Sequence, residues 1–439
     1  MILYTFYMSH NTNSGSPENQ TISEASYKAS LARQASRTLA QTSDESRTAA
    51  LEMISAKLRD FSSDIIEINQ LELSTAREKG LSESFLDRMM LNEERIEGMA
   101  SGVSEVAGLE DPIGGIEDMS ERPNGLKVGK MRIPIGVLAS VYEARPNVTI
   151  DIAAIAIKSG NAVVLRSGSD AHKTSSILAE IARNAVSEAG IDIRSIQFIE
   201  STDREEVDHL LAAEEFIDLM VPRGGSELIA RVRDNAKMPV VAGGIGVCHT
   251  YVDGDADFEM AGDIVLNAKT RRPSVCNTLD TLLVDRSAAA EFIPLVSQRL
   301  ADAGVNMHVE PETITLLPAS ANVLPLQQED YDTEWLSLDC SIRVVDGLAG
   351  AIEHIAQHGS GHSEAIVTSS SDNSKTFLAA VDASAVFVNA STGFNDGGEF
   401  GLGCELGIST QKMHARGPMG LKELTSYKWI VLGEGHTRP

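Results

Sequence analysis

The stretch 135–167, IGVLASVYEARPNVTIDIAAIAIKSGNAVVLRS, decides the architecture. Its two ends, IGVLASVY and NAVVLRS, are short β-rich runs, and the segment 148–158 between them suits a helix. A strand, a crossover helix and a second strand in that order predict parallel pairing. The same alternation continues downstream. IQFIE, IDLMVP and PVVAG follow as strand candidates, with helices expected at 172–189, 203–212 and 224–235. A second series starts at Cys248, with strands expected at 279–284, 341–345, 364–368 and 385–389 and helices at 257–269, 287–303, 348–358 and 372–381. The expected fold class is α/β with two Rossmann-type domains, an architecture of the nucleotide-binding kind.

Upstream, Leu31, Leu39, Leu51, Ile54, Leu58, Ile65, Ile68 and Leu71 recur at a three-to-four-residue period and predict two or three helices between 23 and 99. The texture then changes to GGIEDMSERPNGLKVGKMRIPIG, where Pro123-Asn124-Gly125 marks a turn between two candidate strands. This reads as a projecting β-hairpin. The run MILYTFYM at the start is too short to span a bilayer and lacks the basic flank and cleavage site of a signal peptide. Residues 9–20 are rich in Asn, Ser, Thr, Gly and Pro, so 1–22 is expected to be a flexible tail.

Charge and cysteine usage narrow the class. The chain has 439 residues, 42% of them hydrophobic, enough for a large core in two or three domains. Asp and Glu number 63 against 37 Lys and Arg, a net charge of −26. That balance opposes nucleic acid and anionic lipid, so an anionic ligand must be met by a local basic pocket. Four cysteines, at 248, 276, 340 and 404, form no CxxC pair, which fits neither a disulfide framework nor a zinc knuckle and suits a reducing cytoplasm.

One of these cysteines carries a chemical expectation. In VLNAKTRRPSVCNTLDT, 265–281, Cys276 lies between a cationic segment and an apolar strand. A thiolate is a nucleophile, and Lys269, Arg271 and Arg272 would lower its pKa and attract an anionic substrate. The segment alone equally suits a small buried hydrophobe. Neither GxGxxG nor GxxxxGK[ST] occurs, so the phosphate cradle must be of another kind. Arg223-Gly224-Gly225-Ser226, where a strand gives way to a helix, offers free N–H groups for a phosphate. His354, His358 and His362 are spaced by four, but Gly359 and Gly361 should end the helix first and no HExxH glutamate is present, so no metal is expected and His362 is assigned a charged or hydrogen-bonding loop role.

The blocks SVYEARPNVT, PRGG, VAGGIGVCHTYVD, LNAKTRRPSVCNT, HGSGHSEAI, FNDGGEFGLG and STQKMHARGPMG together resemble the γ-glutamyl phosphate reductases of the aldehyde dehydrogenase superfamily, over about residues 25 to 435. The resemblance implies an aldehyde dehydrogenase-like fold with a cofactor domain (23–107 and 128–247), a catalytic domain (248–415) and an oligomerisation arm (108–127 and 416–439) pairing two subunits. It implies Cys276 as nucleophile, Asn147 as the amide that helps hold the oxyanion, and NADPH-dependent reduction of L-glutamyl 5-phosphate to glutamate 5-semialdehyde. Arg145, Lys269, Arg272 and His362 are the substrate-binding candidates, since guanidinium suits oxyanions. Cofactor contacts are expected from Arg166 and Ser167, from Arg223, Gly224 and Gly225, and from Glu334, which lies where related dehydrogenases use a glutamate on the nicotinamide ribose. Arg166 would favour a 2′-phosphate and hence NADPH over NADH.

Two positions separate the readings. Aldehyde-oxidising relatives place a general-base glutamate two residues before the Gly243-Gly244 pair, where this chain has Val241. A carboxylate there would activate water on the thioester, the step a reductase must avoid. The chain departs from its own resemblance at Gly393, in Ala390-Ser391-Thr392-Gly393-Phe394, where relatives read ASTRF and so carry a cation. The competing expectations are an aldehyde or CoA-acylating dehydrogenase on the same fold, and a catalytically idle scaffold partnered with glutamate 5-kinase.

Overall fold

A computed structural model describes residues 22–403 and 405–438. The expected tail and Cys404 therefore lie outside the described residues, Ile22 apart. Val137–Tyr142 is buried on both faces, which is what a parallel strand covered by helices requires. It pairs in parallel with Ala162–Ser167 on one side and Leu219–Met220 on the other, and Ile196–Phe198 completes a four-stranded sheet. PVVAG does not form a further strand; only isolated bridges remain, Val240 to Met220 and Gly243 to Ser409, and Pro239 supplies no N–H at the start of that run.

A seven-stranded parallel sheet runs in the order Asn322–Pro325, Asn306–Val309, Asp339–Val345, Leu279–Asp285, Cys248–Val252, Ser363–Val367, Ala385–Val388. Three of these strands, 248–252, 306–309 and 322–325, had no counterpart in the sequence reading. They are four or five residues long and carry Cys, His, Asn or Pro, which blunts the apolar signal.

The N-terminal region holds five helices rather than two or three: Glu24–Leu39, Asp44–Asp60, Ser62–Glu78, Glu83–Met89 and Glu93–Ala107. The extra boundaries are set by capping. Ser23, Ser43, Ser82 and Asn92 each accept a backbone N–H at a helix start, so one apolar period is cut into separate rods. The helices share one core with the four-stranded sheet, and the chain returns to that core through Leu406, Ala415, Met419, Leu421 and Leu424.

Ile116–Glu121 and Lys127–Pro134 form the expected hairpin around Pro123-Asn124-Gly125, and Thr425–Leu432 joins it antiparallel along the length of the second strand. Among the described residues no helix is long and apolar enough to cross a membrane.

Candidate active site

The four-stranded sheet reverses its build-up direction at Val137–Tyr142, with the next strand added on one side and Leu219–Met220 on the other. Open α/β sheets bind ligands beyond the carboxyl ends of strands at such a switch point. Arg145 and Asn147 leave the end of the first strand, and Arg223 leaves the end of the other. Glu143 N–H donates to Arg223 O at 3.0 Å and ties these two strand ends together. Ala144, at φ 55°, turns the chain sharply into the helix Val148–Lys158.

The loop carrying Cys276 leads into Leu279–Asp285, the central strand of the seven-stranded sheet. It closes on 243–246 so tightly that a Cβ on Gly246 would lie 1.7 Å from the Cys276 carbonyl oxygen. That oxygen accepts from Cys248 Sγ at 3.2 Å. Asn277 Nδ2 donates to Asn395 O at 3.1 Å, fixing the loop on its other flank. Gly246 N–H donates to Glu334 Oε1 at 2.9 Å, which brings Glu334 beside the thiol. The expected activation of that thiol by neighbouring cations is not what the structure gives. Burial, and then the Glu334 charge, raise the Cys276 pKa to about 11, with Arg223 opposing them and Glu405 adding to the rise. Removing a thiolate from water outweighs one cation.

Arg145, Arg223 and Arg272 gather here, and none makes an ion pair with a carboxylate among the described residues. Partial burial lowers the Arg145 pKa, and the charges of Arg223, Arg88 and Arg272 add to that, so these cations crowd one another. Arg223 fits only because position 407 is glycine; a Cβ there would stand 2.0 Å from its Nη1. Asn147 Nδ2 donates to Asp151 Oδ2 at 2.8 Å.

Two expected substrate ligands lie elsewhere. Lys269 is fully buried, and its Nζ donates to Leu279 O at 2.9 Å. Its charge also bears on Asp280, whose oxygens accept from Cys248 N–H and Trp335 N–H. Burial nevertheless raises the Asp280 pKa to about 7. Lys269 is thus committed to the Leu279 carbonyl and to the Asp280 charge beneath the Cys276 loop. His362 is also fully buried, and burial lowers its pKa to about 4. It is a neutral ring bonded to Ser363 Oγ at 2.8 Å, so the charged role expected of it fails.

Glu334 apart, the cofactor candidates lie on or just beyond the strands of the first sheet. Arg166 donates from Nη2 to Thr202 O at 3.0 Å, while its buried Nε has no partner, and the charges of Arg231 and Arg204 bear on it. Ser167 Oγ meets His172 Nδ1 at 3.2 Å. Gly224 and Gly225 are exposed before the helix Ser226–Asn235, and Glu143 Oε2 takes the Gly225 N–H at 3.4 Å. A carboxylate therefore stands at the N–H groups expected to receive a phosphate. Sequence reasoning missed Glu143, Asp151, Asp280 and Glu405. Asp151 was accessible to it, as the one charge inside TIDIAAIAI, four residues after Asn147.

Comparison with known proteins agrees with this fold. A family model described as the aldehyde dehydrogenase family matches residues 7–316. γ-Glutamyl phosphate reductase of Dehalococcoides mccartyi is 49% identical over 94% of this chain and 98% of its own length. The enzyme of the same name from Caldanaerobacter subterraneus is 47% identical over 94% of this chain and 100% of its own. The crystal structure of γ-glutamyl phosphate reductase from Thermotoga maritima superposes with a TM-score of 0.92 at 42% identity, covering 95% of this chain and 100% of that one. A glyceraldehyde-3-phosphate dehydrogenase from Methanocaldococcus jannaschii, solved with NADP, shares the fold at a TM-score of 0.65 and 16% identity, covering 94% of each chain. The chain belongs to the aldehyde dehydrogenase family. Within that family it belongs to the γ-glutamyl phosphate reductases.

Proposed function

We propose that the chain reduces L-glutamyl 5-phosphate to L-glutamate 5-semialdehyde with NADPH, releasing phosphate, as the second step of proline biosynthesis. The observation that carries this reading is the set of arginines, Arg145, Arg223 and Arg272, that gather around the Cys276 thiol and make no ion pair with a carboxylate among the described residues, in a chain of net charge −26. Unpaired guanidinium groups are kept for oxyanions, and an acyl phosphate is a doubly anionic one at the reacting end.

The Cys276 thiolate attacks the acyl carbon. The carbonyl π pair moves to oxygen, where the Cys276 N–H and the Asn147 amide receive the developing charge. Collapse breaks the C–O bond to phosphate, and the arginines hold the departing dianion. Phosphate leaves readily, so no general acid is needed. Bound NADPH supplies the hydride that reduces the resulting thioester. Collapse of the tetrahedral adduct returns the thiolate and frees the aldehyde. Val241 is 2% exposed and sits where a water-activating base would stand, so hydrolysis of the thioester has no catalyst at that position.

The first sheet suits the cofactor. The orphaned Nε of buried Arg166, with Arg204 and Arg231 close enough to repel it, is what a 2′-phosphate would satisfy. Glu334 would exchange Gly246 for the ribose hydroxyls. The arm is read as the contact with a second copy of the chain, and a reducing cytoplasm as its setting. Oxidation of glutamate semialdehyde with NADP⁺, followed at 340 nm, tests the reading. Phosphate-dependent reduction of NADP⁺ is expected; turnover that ignores phosphate but follows coenzyme A would refute it.

A further inference from the structure

The helix Val148–Lys158 is fully buried along its length except at Asp151, which is partly buried. That residue is bonded to Asn147, and the Arg223 charge bears on it. A carboxylate in the first turn complements the helix dipole, but that role requires no contact with Asn147. Asn147 stands at the N-cap, where asparagine ordinarily accepts a backbone N–H through Oδ1. It makes no such bond. Its amide is committed to Asp151 instead, at 2.8 Å.

An ionised carboxylate only accepts, so the nitrogen of the amide must face it and the oxygen cannot. One N–H is held by Asp151, and the other diverges from it at the trigonal nitrogen. Without the carboxylate the amide is free to turn over. A turned amide would offer oxygen lone pairs to a place where negative charge develops.

We infer that Asp151 is a positioning residue that fixes the orientation of the Asn147 amide, so that an N–H meets the acyl oxygen while the Cys276 thioester forms and breaks down. The inference rests on the oxyanion role proposed for Asn147. Burial raises the Asp151 pKa to about 6, the Asn147 bond and Arg223 restraining it, so the group is an ionised acceptor at pH 7 and above.

The test compares Asp151→Ala, Asp151→Asn, Asn147→Ala and the Asn147→Ala/Asp151→Ala pair in semialdehyde oxidation, alongside the thermal midpoint and the iodoacetamide reactivity of Cys276. Asp151→Ala is expected to lower kcat about 10-fold or more, as partial loss of an oxyanion donor does. KM should stay within about twofold, and Cys276 alkylation should be unchanged, since the nucleophile is not the group disturbed. Asp151→Asn should fall between parent and Asp151→Ala, because its amide both accepts and donates. The pair should be no slower than Asn147→Ala alone, because nothing is left to position. If Asp151→Ala unfolds, the isosteric Asp151→Asn carries the comparison. An Asp151→Ala kcat near the parent value, or a loss that multiplies with Asn147→Ala, overturns the inference alone. Full kcat in Asn147→Ala sinks the oxyanion reading, and Asp151 with it.

Discussion

Arg271 donates from Nη2 to the carbonyl oxygen of Gly393 at 3.1 Å, and a Cβ at 393 would stand 3.2 Å from Arg271 Nε. The guanidinium thus lies in space that a side chain at 393 would contest, and it makes no ion pair with a carboxylate among the described residues. Asn277, next to Cys276, reaches the same carbonyl at 3.5 Å. The cation absent from position 393 is therefore matched by one that reaches in from the segment leading to Cys276. Arg271→Ala is expected to raise KM for phosphate in semialdehyde oxidation about 5-fold, a typical scale for one charge-assisted contact at a wet site, with kcat within twofold. Adding Gly393→Arg should recover part of the loss. An unchanged KM in Arg271→Ala would show that its charge does not reach the ligand.

Cys276→Ala should abolish turnover while NADPH still binds, since the change removes the thiol and leaves every cofactor candidate, Glu334 and those of the four-stranded sheet, in place. Cys248→Ser and Cys340→Ser should keep kcat within an order of magnitude, burial having raised both thiols. Cys248 is the more sensitive of the two because its Sγ supports the Cys276 carbonyl. Substantial turnover in Cys276→Ala would remove the thioester route.

The pKa of Cys276, raised to about 11, fixes the pH dependence of its alkylation in the free enzyme. Below that pKa the thiolate fraction rises tenfold per pH unit, so the iodoacetamide rate should climb about tenfold per unit from pH 7 to 9 without levelling. Glu334→Gln removes a charge that raises the thiol, so its pKa should fall and alkylation at pH 8 should quicken about 3-fold, half a pKa unit. A rate that levels near pH 7 would mean that the arginines prevail over burial.

With Val241 in place of a base, the thioester should persist when phosphate is withheld. Mixing enzyme, semialdehyde and NADP⁺ without phosphate or arsenate should give a burst of reduced cofactor equal to the active sites and then stall. Steady release of free glutamate would show water being activated, with Glu334 or Glu405 as the nearest carboxylates to suspect.

Thr425–Leu432 is one of the two edge strands of the arm, with Tyr427, Trp429, Val431 and Leu432 exposed. An open apolar edge invites a partner strand, and a second copy of the chain supplies one. Light scattering at micromolar concentration should give a dimer or a multiple of it, and Trp429→Glu with Val431→Lys should shift it to monomer. A monomeric parent protein would leave the arm without that role.

The alternation of short apolar runs with helical segments determined the α/β class, because each strand buried on both faces must be almost wholly apolar and each crossover must be long. The PNG turn determined the hairpin, and the order of the blocks around EARPN and SVCNT determined the family. Local sequence could not determine which charges meet. Lys269 and Arg272 are three residues apart, yet the helix Phe258–Thr270 turns Lys269 inward against Leu279 O and ends before Arg272, which stays exposed among the arginines. Glu334 reaches Gly246 only across 88 residues, and the Cys276 pKa follows from how deeply the loops bury it. Burial and long-range charge are properties of the packed molecule, so the thiol's reactivity and the membership of the site were decided by tertiary structure alone.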